Sequence, residues 1–241
     1  MSDANGDDGE SSNADRPFDG DPAWRVTRTA KDGTVFAIRP IAPSDREELR
    51  QAYRAASART RYLRFLGSFG ELNDQTLTYL TDVDQKNHVA LVATITSPDL
   101  KTERGIGVAR FIRLASDPSV AEAAISVADD MQRRGIGSVL AHEIERAARH
   151  RGVRTIRAEV LEGNAAMRAI LEDAGAKRVD SGEDQGTFCY DIHLEPEEAP
   201  TKSLVEILRG TAQAMSSVFR IATSAATTAR GDEAEPDETE R

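Results

Sequence analysis

The stretch that most constrains this chain is residues 120–161, where a strand, a glycine turn, a helix and a second strand stand in immediate succession. VAEAAISV (120–127) has the β-branched and small apolar residues of a strand. A short acidic turn follows. Gln132-Arg133-Arg134-Gly135-Ile136-Gly137 then opens a helix running to about Arg151, with Val139, Leu140, Ile144 and Ala147 on one side. Gly152 ends it in the expected way, and RTIRAEVL (154–161) resumes as a strand. A strand–helix–strand unit of this kind favours a parallel strand pair.

The rest of the chain supplies antiparallel partners. TVFAIRPI (34–41) reads as a strand, and Ser44 with Glu47 reads as the capping box of a helix reaching about Ala56. SARTRYLRFLG (57–67) is a basic, aromatic connection. Its Tyr62 and Phe65 suit core anchoring, and its Arg59, Arg61 and Arg64 suit either solvent or an acidic protein surface. Asn73 or Asp74 starts a short helix through Thr81. HVALVATI (88–95) and GIGVARFIRL (105–114) are strands joined by the Pro- and Gly-bearing loop TSPDLKTERG. Asn164 to about Ala174 is a helix closed by Gly175, and GTFCYDIHL (186–194) is a final strand. The order is β-α-α, three strands, then α-β-α-β-β. It predicts one α/β domain over residues 34–195, with a mixed, mostly antiparallel central sheet flanked by helices.

The net charge of −10 belongs to the ends. Residues 1–23 carry seven acids against one base and residues 231–241 six against one, which leaves the middle nearly neutral. Such composition predicts disorder over residues 1–33 and in the acidic tail. Between a linker at residue 196 and that tail, residues 202–226 place Leu204, Leu208, Met215, Phe219 and Ala222 at roughly helical spacing. This amphipathic helix packs on the domain or serves a partner or self-association. No basic stripe recommends nucleic acid. No apolar run reaches the ~18 residues of a membrane span, and the N-terminus lacks a signal-peptide core. One cysteine, Cys189, permits no internal disulfide, which suits a cytoplasmic protein. His88, His142, His150 and His193 are scattered without metal-ligand spacing, so no metal is expected.

The glycines at the helix mouth carry the chemistry. A helix N-terminus presents unpartnered N–H groups and partial positive charge, glycine lets a phosphate approach them, and Arg133 and Arg134 add charged donors. A turn that merely joins strand to helix has the same composition. Gly137 is followed by Ser138-Val139, not Lys-Ser/Thr, which excludes a Walker loop, and Leu140 stands where a dinucleotide fingerprint needs a small residue.

Gln132-x-x-Gly135-x-Gly137 at a helix start, with Asn164-Ala165-Ala166-Met167 and Ala174-Gly175-Ala176 downstream, resembles the acyl-coenzyme A site of the GNAT N-acetyltransferase superfamily. IRPIAPSD (38–45), SARTRYLRFLG, VAEAAISVADDMQRRGIG and NAAMRAILEDAGA together resemble Pat-type protein lysine acetyltransferase domains. The resemblance implies a GNAT fold, with a sheet splayed at the acyl-CoA site, and acetyl-CoA as co-substrate. It implies coenzyme contacts from Gln132, Arg133, Arg134, Gly135, Ile136, Gly137 and Ser138, from main-chain groups of Ser126 and Val127 toward the pantetheine arm, and from Asn164, which also suits a helix cap. The acceptor it implies is a protein lysine, with an acyl-CoA-synthetase-like enzyme among the candidates. Relatives often fuse this domain to a cyclic-nucleotide-binding or acyl-CoA-synthetase-like region, for which 241 residues leave no room.

Acyl transfer from a thioester to an amine of pKa ~10.4 needs a base, a donor for the developing oxyanion, and a means of holding the reactants together. Glu122, a single carboxylate among alanines on the strand that feeds the glycine turn, is the candidate general base. The resemblance assigns the same role to the glutamate of its A-E-x-A segment. A solvated glutamate on a strand would look alike. Many family members carry a tyrosine seven residues after the Asn as acid for the thiolate, and here Leu171 stands there. A covalent route through Cys189 has little in its favour. Acetylation of a small-molecule amine, and non-catalytic acyl-CoA sensing through the terminal helix, are the competing readings.

Overall fold

The computed structural model describes residues 16–57, 72–96, 102–163, 165–173, 175–179 and 186–194. Asn164, the connection holding Arg59, Arg61, Tyr62, Arg64 and Phe65, and the segment 202–226 lie outside the described residues. Among the described residues eight strands form one sheet: β1 (Val26–Thr29), β2 (Val35–Pro40), β3 (His88–Thr96), β4 (Glu103–Arg113), β5 (Val120–Val127), β6 (Thr155–Leu161), β7 (Lys177–Val179) and β8 (Thr187–His193). Their spatial order is β1-β2-β3-β4-β5-β6-β8-β7. Every neighbouring pair is antiparallel except β5 and β6. The mixed, mostly antiparallel sheet is therefore as expected, and its one parallel pair is the strand–helix–strand unit.

Among the described residues four helices accompany the sheet: α1 (Arg46–Ala55), α2 (Asp74–Thr81), α3 (Ile136–His150) and α4 (Ala165–Asp173). α3 is the crossover between β5 and β6. Its apolar stripe, with Leu140, Ile144, Ala147 and Ala148, is buried together with Ala109, Phe111, Ala123 and Ile125 of the sheet. Gly107 permits this approach, because a β-carbon there would stand 2.9 Å from Leu140 Cδ1 and 3.0 Å from Ser126 O. Glu143 of α3 is buried and is held by Arg28 of β1 through Nε at 2.8 Å and Nη2 at 2.7 Å. Burial raises its carboxyl pKa, but His142, Arg28 and Arg146 outweigh that and hold it below the usual range.

Three local expectations need correction. Residues 16–33, read from composition as part of a disordered segment, are structured. Phe18 and Trp24 are fully buried with ring centroids 5.3 Å apart. Arg151 stacks 5.0 Å from the Phe18 ring and donates to Phe18 O, and β1 then pairs with β2. Two large apolar side chains offset the ordering entropy that the surrounding acids alone would not. Next, α1 begins after a 3-10 turn at Pro43–Asp45, and its N-cap is Asp45 instead of Ser44. Asp45 accepts from Ala42 N–H at 2.8 Å and from both terminal nitrogens of Arg39 at 2.8 Å, while Glu47 pairs with Arg50. The two-pronged bond to Arg39 decides which acid turns inward. Finally, β1 and β7 are strands of four and three residues that show no apolar alternation. By contrast, α2 is capped as read from the sequence, with Asn73 accepting from Thr76 N–H at 2.7 Å.

Candidate functional site

The parallel pair is short, and that shapes the site. β5 pairs with β6 only over Val120, Ala121 and Glu122, against Thr155, Ile156 and Arg157. β6 continues its pairing with β8 as far as Leu161, and β5 continues its pairing with β4 as far as Val127. The two strands therefore part after Glu122. At one end of the β4–β5 ladder Leu114 N–H bonds Val120 O, and at the other Ala128 N–H bonds Ile106 O. Alternation then turns the main chain of even-numbered residues toward β4 and that of Ala123, Ile125 and Val127 toward the gap. Val127 thus faces the opening, whereas the main chain of Ser126 faces β4.

Beyond β5 the glycine turn leads into α3. Gln132 straps it to the strand, its Nε2 donating to Val127 O at 3.2 Å and Asp129 Oδ1 at 3.0 Å. Arg133 has φ +62° and Gly135 φ +92°. Residues of positive φ turn successive N–H groups to one side. Gly135 is the N-cap of α3 and has no side chain to satisfy the helix end. Among the described residues nothing accepts from the N–H groups of residues 133 to 138. Ile136, Gly137 and Ser138 form the buried first turn of α3, where the N–H groups of a helix start lack intrahelical partners. A pyrophosphate fits this donor set.

The two arginines differ. Arg133 is exposed. Arg134 pairs with Asp32 at 3.1 Å and donates to Asp130 O at 3.1 Å. The main-chain N–H of Thr34, followed by its hydroxyl and by Arg134, keeps the Asp32 carboxyl below its ordinary range. Lys31, absent from the sequence-derived site, donates its main-chain N–H to Arg134 O at 3.0 Å. Its Cγ lies 3.1 Å from where a β-carbon on Gly135 would be. No motif marks Lys31. It reaches the turn only because β1 is ordered.

A cleft of about 540 Å³ lies between α1 and the sheet, with Leu49, Ala52, Tyr53, Val92, Val108 and Val127 among its walls. Ser126 and Arg110 also line it. Val108, Arg110 and Ile112 of β4 stand opposite Ser126, Ala124 and Glu122 of β5, so all six share one face. Glu122 is half-buried and lies one diagonal step from Arg110, beyond the described cleft wall. Arg110 is buried. Its Nη1 donates to Leu80 O at 3.2 Å and sits 3.1 Å from His88 Nε2. Arginine only donates, so Nε2 accepts and the ring proton is on Nδ1. Burial, reinforced by Arg110 and opposed by Asp84, pushes the His88 pKa down to about 3. The Tyr79 ring packs 5.2 Å from His88. Burial raises its hydroxyl pKa, Arg110 opposes and Glu122 adds to the rise. Leu171 is buried in the core, as is Cys189.

The site brings Val127, Gln132 and residues 133–138 together around the gap, with Glu122 at its closed end. Among the described residues no His/Cys/Asp/Glu group could hold a metal, and no helix is long and apolar enough to cross a membrane.

Residues 36–177 match the family model described as an acetyltransferase (GNAT) domain. Acetyltransferase Pat of Mycolicibacterium smegmatis is 34% identical over 168 residues, 68% of this chain and 47% of that protein, so the chain spans about half its length. Acetyltransferase PA5475 of Pseudomonas aeruginosa is 32% identical over 139 residues, 58% of this chain and 73% of that protein. The crystal structure of the GNAT domain of S. lividans PAT superposes with a TM-score of 0.62 at 31% identity, covering 72% of this chain and 99% of that one. The forked sheet, the glycine turn at the start of α3 and the extent of the family match give one conclusion: this chain belongs to the acetyltransferase (GNAT) domain family.

Proposed function

We propose that this protein transfers acetyl from acetyl-CoA to the side-chain amine of protein lysines by direct attack, with Glu122 as general base. The observation that carries the reading is the position of Glu122. It is the last residue of β5 paired to β6, at the point where the sheet opens.

In this reading the N–H groups of residues 133–138, with Arg133 and Arg134, hold the pyrophosphate. The main-chain groups of Ile125 and the N–H of Val127, which lie beyond the last residue of β5 paired to β6, pair with the amide-bearing arm of the coenzyme. Glu122 takes a proton from the lysine ammonium, and the neutral Nζ attacks the thioester carbon. An N–H on the open edge of β5 meets the developing oxyanion. The C–S bond breaks and the thiolate leaves without a tyrosine acid, which a thiol pKa of ~8.5 allows, and it takes up the second proton that the nitrogen sheds in becoming an amide. The resemblance of IRPIAPSD, SARTRYLRFLG, VAEAAISVADDMQRRGIG and NAAMRAILEDAGA to Pat-type protein lysine acetyltransferase domains supports a protein acceptor.

Incubation with labelled acetyl-CoA and a cell extract, followed by peptide mapping, should place label on protein lysines. Label confined to small amines would overturn the acceptor class. Glu122→Gln should lower kcat ~10²–10⁴-fold, the scale of general-base catalysis. It should leave acetyl-CoA affinity unchanged, because the carboxylate does not touch the phosphates. A Gln variant with normal kcat at neutral pH would overturn the base.

A further inference from the structure

Past the fork, one aromatic ring gathers two cations. Phe188 of β8 stands opposite Val160 of β6. Ile156 of β6 stands opposite Ala121 of β5, so Val160, further along β6, is level with Ile125 across the opening. Alternate residues of a strand share a face, and so do facing partners. Phe188, Tyr190 and the Arg178 that pairs with Tyr190 are therefore on the face of Ala121 and Ile125, the face that α3 covers. Arg178 Cζ lies 3.8 Å from the centre of the Phe188 ring, and Arg168 Cζ, from the first turn of α4, lies 4.9 Å from it. Stacking orders each guanidinium but leaves its N–H edge unused. Among the described residues neither guanidinium is in an ion pair or a hydrogen bond. Glu172, the acid one turn along α4 from Arg168, accepts instead from the Tyr190 hydroxyl at 2.6 Å. Burial and Glu172 raise the pKa of that hydroxyl while Arg168 and Arg178 oppose the rise, so both cations act on one spot.

Two like charges held on one ring suit a doubly charged oxyanion, and the fork of a guanidinium matches the oxygens of a phosphate monoester. Coenzyme A carries such a group on its ribose, one sugar away from the pyrophosphate. We propose that Arg168 and Arg178 bind the ribose 3′-phosphate of acetyl-CoA, and so select the phosphorylated coenzyme over its 3′-dephospho form. The inference rests on the reading that places the pyrophosphate at residues 133–138. That turn opens α3 past the end of β5, and α4 starts past the end of β6, so both flank the opening where the two strands part. A coenzyme whose arm runs in along the open edge of β5 then has its pyrophosphate at the start of α3 and its ribose on the side of α4. Phe188 brings no charge of its own. It seats both guanidiniums before the ligand arrives, which lowers the ordering cost of binding.

The test is titration calorimetry of the full chain with acetyl-CoA and with 3′-dephospho-acetyl-CoA. The wild-type protein should bind the dephospho form about ten- to a hundredfold more weakly, the scale of charge-assisted bonds to one phosphate. Arg168→Gln and Arg178→Gln should each weaken acetyl-CoA about five- to twentyfold and leave the dephospho affinity at its wild-type value. The double variant should bind the two coenzymes alike. A wild-type protein that binds both coenzymes equally, or single variants that weaken both by the same factor, overturns the proposal. If Arg168→Gln does not fold, Arg178→Gln, at an exposed position, decides together with the wild-type comparison. Inorganic phosphate is the second probe. Variants that lose its binding yet keep the wild-type preference between the coenzymes assign the arginines to a separate anion and overturn the coenzyme assignment. Failure of the pyrophosphate reading is distinguishable. In that case Gly135→Glu keeps its affinity for both coenzymes, whereas if only the role of the arginines fails, Gly135→Glu loses both and the arginine variants keep the wild-type preference.

Discussion

Replacing Gly135 with alanine probes the proposed coenzyme cradle at its tightest point. Gly135 has φ +92° and ψ −1°, and an L-residue held there costs about 1–2 kcal/mol. The added carbon would also come within 3.1 Å of Lys31 Cγ and 3.5 Å of Lys31 N. The Lys31 side chain is exposed and can swing away, but its main chain cannot, because Lys31 N–H is bonded to Arg134 O at 3.0 Å. The total is about 1–3 kcal/mol, the range of a small overpacking added to left-handed strain. Two outlets exist for it. If the turn keeps its shape, the folded state bears the cost and Tm falls by about 2–4 °C per kcal/mol in a chain of this size. If the turn relaxes to negative φ, the N–H groups of residues 133–138 no longer converge, and acetyl-CoA affinity drops about 5- to 150-fold for the same energy. Calorimetric melting of the free protein together with titration calorimetry of acetyl-CoA measures both terms. Wild-type values for both would refute the cradle as described. Gly135→Glu, which adds a like charge for the phosphates, should abolish binding.

Two further predictions concern parts of the fold away from the cradle. Trp24→Ala removes a fully buried indole stacked on Phe18 and should cost about 3–5 kcal/mol, lowering Tm by roughly 6–20 °C; a loss under ~1 kcal/mol in urea unfolding would mean that residues 16–24 are not part of the core. His88, with its pKa pushed down to about 3, binds no proton in the folded protein where the unfolded chain does. Its contribution to stability is full above pH ~6.5 and is lost as pH falls from there toward the folded value, with a slope of up to ~1.4 kcal/mol per pH unit. His88→Gln should therefore flatten the urea midpoint between pH 6.5 and 5, and an unchanged slope would refute the neutral, arginine-bonded ring.

Much of this was legible because it depends on local chemistry. The glycines of the turn, the Asn73 cap and the apolar stripe of α3 act within a few residues, and the structure reproduces those elements closely. What was illegible depends on register or on distant partners. The N-terminal segment reads as an acidic tail by composition, and only the seats for Phe18 and Trp24 reveal it as core. Asp45 stands at the N-cap position in place of Ser44, and its carboxylate turns to Arg39 on another element instead of capping α1. Arg110 looks like an ordinary strand arginine, yet it is buried between Leu80 O and His88. Which of Ser126 and Val127 turns its main chain to the gap is a matter of parity, and parity follows from the β4 ladder, not from either residue.

That parity also explains how one strand can serve both ends of the reaction. Along β5 the even residues Glu122, Ala124 and Ser126 send their side chains to the cleft face and their main chain to β4. The odd residues Ala123, Ile125 and Val127 bury their side chains against α3 and leave their main chain to the gap. Side-chain chemistry and main-chain recognition thus alternate on a period of two without competing for the same residue. The arrangement requires a fixed register, since a slip of one residue would turn Glu122 into the core and give the coenzyme edge to the even set. The β4–β5 ladder supplies that register over seven consecutive pairs without a shift, whereas the neighbouring β3–β4 ladder breaks step between Ala93 and Thr94. Gly107, in the first of those seven pairs, admits Leu140 of α3 so closely that the helix itself locks the strand. The packing of α3 on the sheet and the orientation of the proposed base are therefore one constraint. Mutations that loosen the helix should be felt at Glu122 before they are felt at the phosphate cradle, which the N–H groups of α3 carry with them as the helix moves.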